Sequence, residues 1–153
     1  MTPRMDIMHA APEAIKAMMR VEMAIEQSGL EHSLIELVKI RASQLNGCAF
    51  CIHMHVSDAV KRGESEMRIH LLDAWREAPV FTERERAALN WTESVTRIGK
   101  TRAPDSDYEL VAAQFDEREV AYLTALIGAI NFWNRIQIAL RAVPDVEPVA
   151  VAA

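Results

Sequence analysis

At 153 residues the chain has the length of one domain, and its net charge of −5 with no basic cluster argues against nucleic acid or an anionic membrane surface as partner. Half of the residues are hydrophobic, yet no apolar run approaches the roughly 20 residues of a membrane span and no signal-like N-terminal segment stands out, so a cytoplasmic protein is expected. A chain of this size buries roughly 68–70% of its unfolded surface, enough for a core that does not depend on its two cysteines.

The apolar spacing predicts helices throughout, with no sustained period-two alternation. Pro12 suits the first turn of a helix that carries Ile15, Met18, Met19, Met23 and Ala24 and ends at Gly29. A second helix runs from about Ser33 to Asn46, with Leu34, Leu37, Val38 and Leu45 as its stripe and Gly47 as its stop. The third begins near Cys48 and stops at Gly63. Ser65 caps a fourth, Glu66 to about Glu77, which carries Ile69, Leu72 and Trp75 and halts before Pro79. Thr82-Glu83-Arg84-Glu85 is the capping box of a fifth helix with Leu89, Trp91, Val95 and Ile98. A short sixth begins at Asp105 or Ser106. Asp116-Glu117-Arg118-Glu119 opens a seventh that continues through Leu123, Ile127, Ile130 and Ile138 to a stop before Pro144, and a flexible tail is expected from about residue 144. No repeat or low-complexity linker divides the chain. The expected fold class is all-α, a compact single-domain bundle of six to seven helices over residues 1–153.

Both cysteines and two of the five histidines fall within Gly47-Cys48-Ala49-Phe50-Cys51-Ile52-His53-Met54-His55. In a reducing compartment such a pair is more often catalytic or metal-binding than structural. With about 100° per helical residue and Cys48 at zero, Cys51 lies near 300°, His55 near 340° and His53 near 140°. Cys48, Cys51 and His55 thus share a face from which His53 diverges, which weighs against a zinc site built from all four groups. A disulfide closing so short a loop constrains the unfolded chain little, so a purely structural bond is not expected either. Two buried thiols packed as small hydrophobes beside a satisfied histidine remain the plain alternative.

Thiol redox chemistry has physical support. Both cysteines are expected in the first turn of a helix, where free N–H groups and the macrodipole favour a thiolate. His55 is one turn beyond Cys51 but about 10.5 Å along the axis from Cys48, so Cys51 is the thiol it can deprotonate. Cys48 is then placed to resolve an oxidised Cys51. Glu36, embedded in the apolar run Leu34 to Ile40, is the candidate to orient His55 across a hairpin about Gly47, directly or through water; the alternative is a solvated Glu36 paired with Lys39. His9, His32 and His70 show no partner in the sequence. Met18, Met19, Met23, Trp75 and Trp133 sit at core-like or interface-like spacing.

Glu36, eleven intervening residues, then Cys48-x-x-Cys51-x-x-x-His55, set in LVKIRASQLNGCAFCIHMH and followed by GESEMRIHLLDAWREAPVFTERERAALNWTE, resembles the AhpD-like alkylhydroperoxidase core of the carboxymuconolactone decarboxylase family. The resemblance runs from roughly Ile35 to Leu140, including NFWNRIQIAL. It implies an all-helical fold and a homo-oligomer, trimer or hexamer. It also implies a thiol peroxidase in which Cys51 attacks the hydroperoxide, Cys48 resolves, and His55 with Glu36 relays the proton. No cofactor or metal is implied; the partners are a hydroperoxide and a dithiol or protein electron donor. Two features depart from the best-studied peroxidase members: Phe50 stands where they carry a histidine, and His53 stands where close relatives carry an acid. A decarboxylase-like enzyme and a non-enzymatic redox sensor or stress-response module are the alternatives.

Overall fold

In the computed structural model, which describes residues 2–146, nine α-helices make up the regular structure and no strand occurs among the described residues. They are α1 (Ile7–Ala10), α2 (Pro12–Glu26), α3 (His32–Asn46), α4 (Ala49–Lys61), α5 (Glu66–Leu71, continued by a 3-10 turn Leu72–Ala74), α6 (Glu83–Thr96), α7 (Ile98–Thr101), α8 (Asp105–Ala112) and α9 (Glu117–Ala139). The all-helical expectation stands, with more helices than the six to seven expected.

The two additional helices are single turns. α1 forms because the Asp6 carboxylate accepts the Met8 N–H at 2.9 Å. α7 follows a break at Arg97, so Ile98 leaves the stripe of α6 and is 54% exposed. Two expected ends also move. The fourth helix stops short of Glu77 because the Arg86 guanidinium takes the carbonyls of Trp75, Arg76, Ala78 and Phe81, which lets the segment leave helical geometry with its acceptors paired. The last helix ends at Ala139 and not at Pro144. There Arg141 adopts φ 58°, and the Ala142 N–H returns to the Gln137 carbonyl at 2.9 Å. Of the expected tail, residues 147–153 lie outside the described residues.

Both predicted capping boxes form, Thr82 with Glu85 and Asp116 with Glu119. α3 lies at the centre: every residue from Leu34 to Ser43 is buried, because α4, α6 and α9 all pack on it. On one side Ile35 and Val38 join Ile25, Ala88, Leu123 and Ile127. On the other, Leu37 and Ile40 join Ala59, Leu72, Trp75 and Leu89. These layers remove α3 from water on both sides, so each charged side chain it carries must be paired.

The buried stripe of α2 differs from the expected one. Ile15 and Ile25 are buried and Met18 is partly so, whereas Met19 and Met23 are 52% and 60% exposed. The helix is rotated because Glu22 turns inward to accept from Lys39 Nζ at 3.0 Å and Trp133 Nε1 at 2.9 Å.

Candidate functional site

The site begins at the reversal between α3 and α4. Gly47 takes φ 72°, a left-handed value that a residue with a Cβ adopts only at a cost, and the Cys48 N–H then bonds the Ser43 carbonyl at 3.0 Å. Cys48 is consequently the N-cap of α4, with extended φ −87° and ψ 92°, and lies just outside the first turn expected for it. Cys51 is the third helical residue, and its N–H points to Cys48 Sγ at 3.3 Å. The two sulfurs are joined in a disulfide with Cα atoms 5.3 Å apart.

Along α4 the buried positions are Cys51, His55 and Ala59, the i, i+4, i+8 face turned toward α3. His53 is half-buried and Met54 is 40% exposed, so the two histidines point apart, as the helical phase requires. Glu36 meets His55 directly, with Oε2 3.0 Å from Nδ1 and side-chain exposures of 7% and 9%. No intervening water is needed. Ile35 and Leu37, which flank Glu36, are sealed from solvent, so the contact sits in a low-dielectric wall.

Lys39 turns to Glu22 at 3.0 Å and lies 3.9 Å from Glu26, so the alternative Glu36–Lys39 pairing does not form. His32, without an assigned partner in the sequence, has Glu26 at 3.0 Å. A carboxylate only accepts, so the Glu36 contact places the hydrogen on Nδ1 of His55 and leaves Nε2 as the basic nitrogen. Nε2 makes no hydrogen bond with the described residues, among which Ser94 Oγ alone is both sealed from solvent and unpartnered. Nε2 therefore retains an accessible surface.

A polar network missed by sequence reasoning holds the reversal in place. Asn46 Nδ2 donates to Asn131 Oδ1 at 3.0 Å and to Asn134 Oδ1 at 2.8 Å, and Asn134 Nδ2 donates to Ser43 Oγ at 2.9 Å. Asn134 and Ser43 are fully buried. The signal was present: two asparagines three residues apart on an apolar helix need partners. Beside the network an open cleft of about 270 Å³ runs between residues 47–50 and the end of α9, where Gln137, Ile138, Arg141 and Ala142 line it. Cys48 lines this cleft and Cys51 does not. Among the described residues no three His, Cys, Asp or Glu side chains converge as metal ligands would.

The profile of the carboxymuconolactone decarboxylase family matches residues 12–94. The chain belongs to that family. Its core is AhpD-like. The uncharacterised protein YdfG of Bacillus subtilis (strain 168) is 46% identical over 140 residues, which span 92% of this chain and 95% of the relative. A crystal structure from Agrobacterium tumefaciens, described as a protein of unknown function and a candidate antioxidant defence protein AhpD, is 48% identical. It superposes with a TM-score of 0.92 over 95% of this chain and all of its own. An AhpD-core, peroxidase-related protein from Ralstonia eutropha JMP134 shares the fold at 17% identity, with a TM-score of 0.79 over 90% of this chain and 74% of its own. No helix among the described residues is long and apolar enough to cross a membrane.

Proposed function

We propose that the chain is a thiol peroxidase that reduces hydroperoxides by cycling Cys48 and Cys51 between dithiol and disulfide. The observation that carries this reading is the buried Glu36–His55 contact of 3.0 Å on the α4 face that also buries Cys51 one turn earlier. A redox-inert pair of core cysteines gives no reason to bury an acid and an imidazole beside it, since each costs desolvation that only their contact offsets.

In the reduced enzyme Nε2 of His55 takes the proton of Cys51, and Glu36 holds the imidazolium that results. The thiolate attacks the terminal peroxide oxygen. An S–O bond forms, the O–O bond breaks, and the leaving alkoxide departs as alcohol with the proton returned by His55. The Cys51 sulfenic acid is then attacked by the Cys48 thiolate, which forms the disulfide and releases the hydroxyl as water after protonation. Two electrons from an external dithiol close the cycle. Lactone decarboxylation makes no use of a thiol pair, and no feature of the site favours it.

The working enzyme is a homo-oligomer, trimer or hexamer, in the cytoplasm, and forms one AhpD-like unit. Met8, Met19, Val21 and Met23 on α1 and α2 are 39–60% exposed, an apolar face suited to a second copy. A solution mass near 17 kDa at micromolar concentration would remove that part of the proposal.

Steady-state consumption of cumene hydroperoxide with a panel of dithiol donors tests the activity. The enzyme turns over many times per chain. A single oxidation with no further turnover under every donor would mark a sensor instead.

A further inference from the structure

The two cysteines are held by different means. Cys51 is inside α4, fixed by the helix and by the face that it buries against α3. Cys48 is outside it, as N-cap, so its place depends on the turn over residues 43–48. There the Cys48 N–H bonds the Ser43 carbonyl at 3.0 Å and the Gly47 N–H bonds the Gln44 carbonyl at 3.2 Å, the pair of bonds that closes a helix through a left-handed glycine. Packing does not hold this turn from outside: Gly47 is exposed, and a Cβ on it would meet nothing within 4 Å.

The grip comes from a third helix. Asn134 of α9, fully buried, donates through Nδ2 to Ser43 Oγ at 2.9 Å and accepts at Oδ1 from Asn46 Nδ2 at 2.8 Å. One amide thus ties two residues of the turn. Ser43 carries a bond on each side, because its hydroxyl accepts from Asn134 and its carbonyl accepts from Cys48. Asn131 gives Asn46 a second acceptor and donates to Thr96 of α6 at 3.0 Å, so the grip extends to a fourth helix.

We infer that Asn134 is a positioning residue for the thiol pair: through Ser43 and Asn46 it keeps Cys48 within bonding reach of Cys51 once the disulfide has opened. In the disulfide the covalent bond itself holds the Cα atoms 5.3 Å apart, and Asn134 adds little. In the dithiol only the turn does so, and a preorganised partner raises the effective concentration of one thiol toward the other. The inference rests on the peroxidase reading and deepens it at one step. In that step the Cys48 thiolate attacks Sγ of the Cys51 sulfenic acid, the S–S bond forms as the S–O bond breaks, and the hydroxyl leaves as water with a proton from solvent. Attack on the peroxide uses Cys51, His55 and Glu36, none of which bonds to the asparagine network, so Asn134 governs resolution and not attack.

The first measurement needs no peroxide. Reduced protein is equilibrated with glutathione redox buffers. Protein dithiol and one glutathione disulfide give protein disulfide and two glutathione molecules, and the equilibrium constant reads the effective concentration of Cys48 toward Cys51. It should fall by about 3–10-fold in Ser43→Ala, the scale of one buried neutral hydrogen bond, and at least as far in Asn134→Leu. The double variant should match Asn134→Leu, because the link to Ser43 is already gone. Ile127→Val, which trims the core of the same helix at a comparable cost in stability, should leave the constant unchanged. The second measurement adds cumene hydroperoxide and dimedone to reduced protein with both cysteines intact. In Ser43→Ala and Asn134→Leu the share of Cys51 trapped by dimedone should rise, with the rate of cumyl alcohol release unchanged. An unchanged constant in Ser43→Ala, an equal fall in Ile127→Val, additive losses in the double variant, or slower alcohol release without added labelling would overturn the inference. If Asn134→Leu does not fold, Ser43→Ala against Ile127→Val decides alone. A failure of the peroxidase reading would appear instead as no cumyl alcohol from the parent protein, with the glutathione constant still readable.

Discussion

Replacing Glu36 by Gln removes one charge from the centre of the site at almost no change in volume. The carboxylate oxygen is 3.0 Å from Nδ1 of His55 and both side chains are more than nine-tenths buried. At an effective dielectric of about 20, unit charges at that separation attract by about 5.5 kcal/mol in the imidazolium that the proposed relay forms on His55. The amide oxygen still accepts from Nδ1–H, so roughly half to three-quarters of that attraction is lost, about 2.7–4 kcal/mol. At about 1.36 kcal/mol per decade, kcat/KM for hydroperoxide should fall by about 10²–10³-fold. A flipped amide would present its NH₂ group to Nδ1 and impose the wrong tautomer, which acts in the same direction. The assay is kcat/KM for cumene hydroperoxide under saturating dithiol, with helicity checked by circular dichroism. A loss below about threefold in a folded variant would refute the idea that Glu36 acts through His55.

His53 and His55 serve as each other's control: His55→Ala should reduce turnover by about 10²–10⁴-fold, as expected for a positioned acid–base group, while His53→Ala, off the buried face, should cost far less. Equal losses in the two variants would contradict the assignment. Combining Glu36→Gln with His55→Ala should cost less than the sum of the two, because the groups act as a unit. A separate prediction concerns stability in acid. Burial disfavours the charge on Glu93, but hydrogen bonds from Trp75, Arg41 and Arg76 outweigh it and hold the carboxyl below its usual range. Its contribution is therefore full above the unfolded carboxylate value of about 4.3 and fades as pH falls through the lower folded value. Glu93→Gln, which leaves the buried Arg41 with Asp73 as its remaining carboxylate, should cost about 2 kcal/mol in urea denaturation at pH 7, with the gap to the parent shrinking below about pH 4. A gap independent of pH would contradict this reading.

The stretch from Gly47 to His55 was legible because a helix translates spacing into direction. Cys51 and His55 at i and i+4 had to share a face, and His53 had to leave it. Glu36 was legible as a charge within an apolar run, and α3 pairs it with His55 and not with Lys39 because Lys39 is drawn to Glu22 on another helix. That inward turn of Glu22 is also what hid the rotation of α2. Met18 and Met19 offer two equally good apolar phases, and only a partner distant in sequence decides between them. The same holds for the helix ends. Arg86 stops the segment after α5, and Arg4 occupies the carbonyls that end α9, from positions that local pattern does not reach. Cys48 moved from the first turn to the N-cap through the left-handed Gly47, a shift of one residue that a boundary read from composition does not resolve.

Trapping the sulfenic acid tests the central claim most directly. Reduced Cys48→Ser protein, which lacks the thiol proposed to resolve, is treated with one equivalent of cumene hydroperoxide in the presence of dimedone. The account predicts one equivalent of cumyl alcohol per chain and dimedone on Cys51. No alcohol, or alcohol without labelling of Cys51, would contradict it.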